Sequence, residues 1–190
     1  MRLGRDKAFE KVGTKSLIER TIDCLSPVSQ SVIIVTSQEQ SDQFDSVYLK
    51  GKVVVDLCPG KAALGGIYTG LMSADTSLSL VVGCDMPFLN RDLLQYLIDS
   101  SIGYDAVVPR LGKMLEPLHA IYSKRCLDSI EHLLSKDVVA VRRLFDLVKT
   151  RYMDECEINK FDPKYLSFLN INTQGDLEKA RSLVRQMERC

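Results

Sequence analysis

Short apolar and β-branched runs alternate along the chain with longer segments whose apolar residues recur every three or four positions. Continuous short runs are typical of buried strands, and the longer period is typical of helices that pack on a sheet. The pattern therefore predicts βα units in a three-layer α/β/α fold with a mostly parallel sheet. The polar stretch 155–164 is predicted to be a loop. The predicted strands are 31–35, 52–55, 78–83, 104–108, 117–122, 151–153 and 166–171, and the predicted helices are 14–24, 62–72, 91–98, 125–134, 138–148 and 173–187.

Polar residues at the ends of the apolar segments support two of these helices. Ser16 and Glu19 have the spacing of a capping box, and Pro27 is placed to stop the helix that they begin. Thr173 and Asp176 have the same spacing before the last apolar segment. The first and last predicted helices therefore have start signals that are independent of their periodicity.

Composition limits the class of protein. A chain of 190 residues with 45% hydrophobic content can form one compact core, so a single domain over 1–190 is expected. The formal net charge of +0 provides no field for DNA or RNA. No apolar run approaches the roughly 20 residues of a membrane span. The six cysteines form no CxxC pair, as expected of reduced thiols in the cytoplasm.

Two acidic residues follow predicted strands. Asp56 ends one strand, and Asp85 comes soon after another and is followed by Pro87. In an open α/β sheet, ligands collect at the carboxyl ends of the strands, and a fixed carboxylate there suits Mg²⁺ beside nucleotide phosphates. The alternative is that either residue only forms a turn. We treat both as candidate site residues.

Two further polar groups are weaker candidates. Three cations surround Gly4 in segment 2–7, which suits a loop that clamps a triphosphate, although a solvated basic tail is the common alternative. Asn170 and Asn172 flank an isoleucine with the spacing of a strand, so both amides can face the same ligand. Ordinary hydrogen bonding at the start of a helix is the alternative for this pair.

Taken in order, these segments resemble the molybdenum cofactor guanylyltransferases, within the wider group of Rossmann-like, GT-A-like nucleotidyltransferases. The resemblance extends over nearly the whole chain. The matching segments are 2–8 for the second half of the family's opening signature L-A-G-G-x-S-x-R-M/L-G-x-D-K, 64–67 for G-P-L-A/G-G, 84–89 for C-D-M-P-F-L, 116–118 for a later P-L turn and 170–173 for N-I/V-N-T. The segments 84–89 and 170–173 are the most specific.

The resemblance implies transfer of GMP from GTP to the terminal phosphate of molybdopterin, with release of pyrophosphate and with Mg²⁺ as the cofactor. It implies that Asp85 holds the metal and that Lys7 contacts the GTP phosphates, so these two residues are the expected catalytic groups. It also implies transient contacts with other proteins of molybdenum-cofactor biosynthesis. The residues at nucleotide-binding positions are Arg2, Gly4, Lys7, Asp56 and Asp85, with Asp56 near the guanine, and those on the molybdopterin side are Asn170 and Asn172.

The chain departs from the family pattern in two places. The family's first strand and its L-A-G-G-x-S loop have no counterpart ahead of Arg2, so the chain is expected to be truncated relative to the family, with a start assigned too late as the simplest explanation. The sheet would then lose a central strand and expose an apolar edge. In addition, segment 61–63 is Lys-Ala-Ala where the family usually has glycine and proline.

Two alternatives remain open at this stage. One is a related nucleotidyltransferase that uses another base or acceptor, such as cytidylyl transfer to molybdopterin or transfer to a sugar phosphate. The other is a nucleotide-binding protein without catalytic activity, because the glycine-rich loop is missing.

Overall fold

The computed structural model describes residues 7–45 and 51–187, so Arg2 and Gly4 lie outside the described residues. No helix within these ranges is long and apolar enough to cross a membrane. The strands are β1 Lys11–Val12, β2 Lys15–Ser16, β3 Ile33–Thr36, β4 Lys52–Val55, β5 Leu78–Val82, β6 Ala106–Leu111, β7 Met114–Leu115, β8 His119–Ser123 and β9 Thr150–Met153. The helices are α1 Leu17–Leu25, α2 Gln38–Asp45, α3 Ala62–Ser73, α4 Arg91–Asp99, α5 Leu127–Ser135, α6 Glu155–Ile158 and α7 Gln174–Met187.

The strands form two main sheets. β3 and β4 pair in parallel, with Ile33 opposite Lys52. The larger sheet has the order β5-β8-β6, with β7 and β9 also paired to β6. β8 is antiparallel to both of its neighbours, whereas β9 is parallel to β6. The prediction of an α/β fold is confirmed, with a sheet that is mixed because β8 returns through a tight turn rather than a helical crossover.

Apolar residues cover both faces of the larger sheet. On one face, Val107 and Ile121 join a buried cluster with residues of α1 and α4. On the opposite face, Ala106 and Ala120 join a second cluster with residues of α3 and α5. Because successive strand residues point to opposite faces, this alternation gives the predicted three layers.

Several predicted elements differ from those observed. The helix predicted at 138–148 is a 3-10 helix, Val141–Asp146, and the strand predicted at 166–171 is wrong, since Leu166–Phe168 is also a 3-10 turn. Tyr165 precedes that turn with φ 53°, which breaks an extended backbone. The polar stretch predicted as a loop contains α6, which begins at a capping box made by Asp154.

β3 and β5 are the inner edges of the two sheets. Within residues 7–45 and 51–187, β3 pairs only with β4 in the smaller sheet. In the larger sheet, β5 pairs only with β8. A cavity of about 750 Å³ lies between these two strands, with α1 and α3 on its sides. Its lining is mainly apolar.

The start of α1 provides a test of the fold. The Ser16 hydroxyl accepts a hydrogen bond from the Glu19 N–H at 3.3 Å, and the Glu19 carboxylate accepts from the Ser16 N–H at 2.7 Å. We expect Ser16→Ala to lower the free energy of unfolding by about 0.5–2 kcal/mol in urea titrations. Ser182→Ala inside α7 is the control and should change it little. Equal losses in the two variants would contradict this role.

The same cap predicts a pH dependence. Hydrogen bonds from Ser16 lower the pKa of Glu19 in the folded state. The contribution of an acid with a lowered pKa is present above its unfolded pKa and is lost as the pH falls through the folded pKa. The stability difference between wild type and Ser16→Ala should therefore narrow in acid. A constant difference from neutral to acidic pH would show that the carboxylate is not involved.

Candidate active site

The site forms in the loop that follows β5. The Gly83 N–H donates to the Leu118 carbonyl at 2.9 Å, and the Ile171 N–H donates to the Asp85 carbonyl at 2.9 Å. These bonds hold the loop between the chain before β8 and the segment before α7. A Cβ atom at Gly83 would lie 2.8 Å from Asp85 Oδ1. Only glycine therefore lets the Asp85 carboxylate fold back over this position.

Three predicted site residues from distant parts of the chain meet at this loop. Lys7 Nζ lies 3.9 Å from Asp85 Oδ2. The same ammonium group donates a hydrogen bond of 2.8 Å to Asn172 Oδ1. The side chains of Lys7 and Asp85 are 29% and 26% exposed, so both are partly desolvated yet open to a ligand. We call these residues, Lys7, Asp85 and Asn172, the ammonium cluster.

Backbone bonds and one arginine fix the segment that carries Lys7. Lys7–Phe9 is a single 3-10 turn, and the Glu10 N–H closes it on the Lys7 carbonyl at 3.0 Å. Arg181 of α7 donates to the Lys11 carbonyl at 2.8 Å. The turn and the β1–β2 hairpin are thereby attached to the last helix, which sets the position of the ammonium group.

Asn172 is positioned by the start of α7. The Asp176 carboxylate accepts hydrogen bonds from the N–H groups of Asn172 and Thr173, at 3.1 and 2.8 Å. Ile171 is completely buried and anchors the segment in the core. Asn170 precedes it and makes no hydrogen bond to Lys7 or Asp85 among the described contacts, so its role on the acceptor side stays a prediction.

Two positioning residues were missed in the sequence. Arg20 of α1 donates to the carbonyls of Pro87 and Val12, at 3.1 and 3.2 Å, and therefore joins the site loop to the hairpin. Gly83 is the other. In the sequence, Arg20 looks like any solvated cation on an amphipathic helix, so no signal marks it. Gly83 does have a signal, which is its position directly before Cys84 and Asp85.

Burial dominates the electrostatics of Asp85. Loss of solvent raises its pKa, and attraction to the nearby Lys7 ammonium group offsets only part of that rise. Because its charged form is only partly compensated, this carboxylate would be stabilised by a second positive charge nearby. The separation of 3.9 Å from Lys7 exceeds hydrogen-bonding distance, so Lys7 does not form a closed ion pair with it.

The residues present fit a magnesium ion that is shared with a substrate. Within the described ranges, no three acidic, histidine or cysteine side chains are grouped as a protein-only metal site. Mg²⁺ is commonly held by one or two carboxylates, with phosphates and water as its other ligands. Asp85 is the carboxylate of the ammonium cluster that suits this arrangement.

Asp56 lies at the end of β4 and is held separately. Its Oδ1 accepts from the Cys58 N–H at 3.0 Å and from the Thr69 hydroxyl at 2.8 Å. Thr69 is completely buried in α3, so the carboxylate is fixed against that helix. No described hydrogen bond or ion pair joins Asp56 to the ammonium cluster. Its predicted position near a guanine stays a prediction.

Comparison with known proteins defines the class. The chain is 38% identical over 180 residues to a protein of Pelotomaculum thermopropionicum named "Probable molybdenum cofactor guanylyltransferase", a match that covers 95% of this chain and 86% of the relative. It is 31% identical to the molybdenum cofactor guanylyltransferase of Desulfosudis oleivorans, over 96% of this chain and 89% of the relative.

Solved structures agree with these relatives. Molybdopterin-guanine dinucleotide biosynthesis protein A of Archaeoglobus fulgidus superposes with a TM-score of 0.84 at 27% identity, covering 97% of this chain and 93% of the other. A Thermus thermophilus 2-C-methyl-D-erythritol 4-phosphate cytidylyltransferase superposes with a TM-score of 0.71 at 17% identity, over 94% of both chains, and shares the fold alone.

The fold, the site and these relatives together define a nucleotidyltransferase. The family model of the MobA-like NTP transferase domain matches residues 1–154. The chain therefore belongs to the MobA-like NTP transferase family, and the resemblance seen in its sequence is confirmed.

The raised pKa of Asp85 leads to a stability prediction. The folded state keeps the carboxyl proton at pH values where the unfolded chain has lost it, so this group lowers stability as the pH rises through that window. We expect Asp85→Asn to melt at the same or a higher temperature than wild type at neutral pH. The difference should vanish in acid, where the carboxyl is protonated in both states.

Thermal melts followed by circular dichroism at several pH values test this expectation. Asp75→Asn, at an exposed loop position after α3, is the matched control and should show no such trend. A neutral-pH melting temperature for Asp85→Asn well below that of wild type would contradict it. The carboxylate would then be a stabilising group rather than one kept for a ligand.

Proposed function

We propose that the protein transfers GMP from GTP to the terminal phosphate of molybdopterin, in a reaction that requires Mg²⁺. The names of the relatives support this substrate pair. The observation that carries the proposal is the ammonium cluster, in which Lys7 lies between Asp85 and Asn172. A cation and a partly buried carboxylate just beyond the carboxyl end of strand β5 suit the binding of a metal-bound triphosphate.

The proposed reaction is an in-line displacement at phosphorus. An oxygen of the acceptor phosphate forms a bond to the α-phosphorus of GTP, and the bond from that phosphorus to the oxygen bridging to the β-phosphorus breaks. The electron pair leaves with pyrophosphate. This chemistry needs positioning and charge neutralisation and does not need a covalent nucleophile.

Each member of the ammonium cluster has a role in the proposal. The Asp85 carboxylate would hold Mg²⁺, and the bound ion would neutralise charge on the phosphates. The Lys7 ammonium group leaves its position beside Asp85 to contact the phosphates and to stabilise the departing pyrophosphate. The Asn172 amide, which now accepts from Lys7, becomes available to the acceptor.

Two substitutions test the catalytic roles. We expect Asp85→Asn and Lys7→Ala each to reduce the rate of pyrophosphate release from GTP and molybdopterin on the order of 10²–10³-fold, because each removes charge stabilisation in the transition state. Lys15→Ala is the matched control, because it removes a lysine whose ion pair with Asp23 is exposed to solvent. Lys7→Ala with wild-type kinetics would remove this residue from the phosphate site.

The magnesium requirement has its own readout. In wild type, removal of divalent cations should abolish transfer, and added Mg²⁺ should restore it. In Asp85→Asn, a higher Mg²⁺ concentration should be needed for the remaining activity, because the variant lacks the anionic ligand. An unchanged magnesium dependence in that variant would contradict the proposed ligand.

Base selection is assigned to Asp56 in this proposal. One of its oxygens, Oδ1, accepts from the Cys58 N–H and the Thr69 hydroxyl, and these two bonds hold the carboxylate in one orientation. We expect Asp56→Asn to lower the ratio of kcat/KM for GTP to that for ATP about 10-fold or more, as expected for loss of a hydrogen bond to a charged acceptor.

A panel of the four ribonucleoside triphosphates, with pyrophosphate as the readout, measures this ratio. Asp75→Asn again serves as the control variant. A wild-type preference for CTP would replace guanylyl transfer with cytidylyl transfer. The absence of turnover with any triphosphate, together with measurable binding, would favour the binding protein without catalytic activity.

A further inference from the structure

Glu116 is a partly buried acid that has no role in the reaction described so far. Burial raises the pKa of its carboxyl group, and no neighbouring charge offsets that rise. Among the residues that the structure describes, none makes a hydrogen bond or an ion pair with this carboxyl group. A carboxylate that has lost part of its solvent and has gained no partner is stabilised when a ligand donates hydrogen bonds to it.

The backbone around Glu116 is fixed by hydrogen bonds. Its N–H donates to the Pro109 carbonyl at 3.0 Å, and its carbonyl accepts from the His119 N–H at 3.1 Å. The hydroxyl of Tyr122, a completely buried residue, donates to the Pro117 carbonyl at 2.8 Å. A fixed backbone of this kind is what a residue that recognises a ligand needs.

The turn 116–118 meets the loop of the ammonium cluster. The Leu118 carbonyl accepts from the Gly83 N–H at 2.9 Å, two residues before Asp85. The antiparallel pairing of β5 with β8 explains this contact, because it puts the beginning of β8 beside the end of β5. The turn therefore lies at the same rim of the sheet as Asp85.

Strand order places Glu116 and Asp56 on opposite sides of Asp85. Asp56 follows β4, which pairs with β3, and the cavity separates β3 from β5. Asp85 follows β5, and β8 and β6 come next in the larger sheet. The nucleoside and the acceptor must occupy different parts of this rim, because both are joined to one phosphorus during the transfer. With the base assigned to Asp56, the side of Glu116 is left for the acceptor.

The segment before α7 supports this assignment. The Phe168 and His119 rings are in contact, with 4.7 Å between their centroids, and the Ile171 N–H donates to the Asp85 carbonyl. The segment thus runs from the beginning of β8 to the site loop. It carries Asn170, which the sequence predicts on the acceptor side, so this prediction and the turn 116–118 point to the same part of the rim.

The proposed acceptor carries a group that suits a carboxylate. Molybdopterin contains a pterin ring, and the pyrimidinone edge of this ring presents an amide N–H next to an exocyclic amine. Guanine presents the same two donors side by side. A carboxylate has two acceptor oxygens and can accept from both donors at once.

We propose that Glu116 recognises the pterin ring of the acceptor by accepting hydrogen bonds from this amide and amine edge. Glu116 then serves the acceptor as Asp56 serves the guanine, and the ammonium cluster lies between the two. The inference rests on the proposed function, from which it takes the acceptor, and it adds a specificity-determining residue to the reaction.

Binding of a free pterin tests the contact without turnover. The probe is 6-hydroxymethylpterin, whose own fluorescence permits anisotropy titrations with the protein. We expect Glu116→Gln to weaken its binding about 10-fold or more, because the variant loses a charged acceptor. Glu155→Gln, at an exposed position of α6 near Gly112, is the matched control and should bind as wild type does. Equal binding by wild type and Glu116→Gln, or no binding by wild type, would overturn the inference.

A second ligand identifies the edge that is recognised. The compound 6-hydroxymethyllumazine has a carbonyl oxygen in place of the amine, so it presents an acceptor where the pterin presents a donor. Wild type should bind it about 10-fold more weakly than the pterin, and Glu116→Gln should reduce this difference. The same difference in both proteins would show that another group recognises this edge, and the inference would be wrong.

A thermal melt separates recognition from a structural role. Glu116→Gln replaces a carboxylate that has no partner with a neutral amide of the same shape, so it should melt at the same or a higher temperature than wild type. A large loss of stability would show that the carboxylate supports the fold instead of a ligand.

Kinetics separate this role from metal binding and from the proposed reaction. Glu116→Gln should raise the KM for molybdopterin about 10-fold and leave the KM for GTP and the magnesium dependence unchanged. A higher magnesium requirement, as expected of Asp85→Asn, would make Glu116 a metal ligand and would overturn the inference. Absence of turnover in wild type would contradict the proposed function alone, since pterin binding that depends on Glu116 would still support the inference.

Discussion

The site depends on a carboxylate that is kept partly out of water at the end of β5. Its pKa is raised by burial, and an ammonium group at 3.9 Å offsets only part of that rise. The backbone bonds made by Gly83 and Ile171 keep the loop in place and so fix the position of the backbone that carries this carboxylate. The protein thus maintains a locally unfavourable charge, as functional sites commonly do.

The fold supplies the members of this site from opposite ends of the chain. Lys7 comes from the turn before the first helix, and Asn172 comes from the segment that begins the last one. Arg181 attaches the two segments through a bond to the Lys11 carbonyl. A change in the packing of α7 would therefore move both a cation and an amide relative to Asp85. This coupling explains why the last helix belongs to the site although it carries no acidic ligand.

The sequence predicted the parts of the structure that local patterns determine. The capping residues of α1 and α7 and the strand before Asp85 are confirmed, because periodicity and side-chain caps act over a few positions. The strand predicted at 166–171 failed because the backbone at Tyr165 and the buried Ser167 adopt a turn that local apolar content does not reveal. The role of Arg20 depends on contacts between distant segments, which no local pattern contains.

The central claim is that the ammonium cluster binds the phosphates of a nucleotide whose metal ion is held by Asp85. A crystal structure with Mn²⁺ in place of Mg²⁺ and a non-hydrolysable GTP analogue tests it most directly, because anomalous scattering identifies the ion. The account predicts the ion at the Asp85 carboxylate, with Lys7 Nζ moved from Asn172 to a phosphate oxygen. A nucleotide bound elsewhere, with the Lys7–Asn172 hydrogen bond intact and no ion at Asp85, would contradict it.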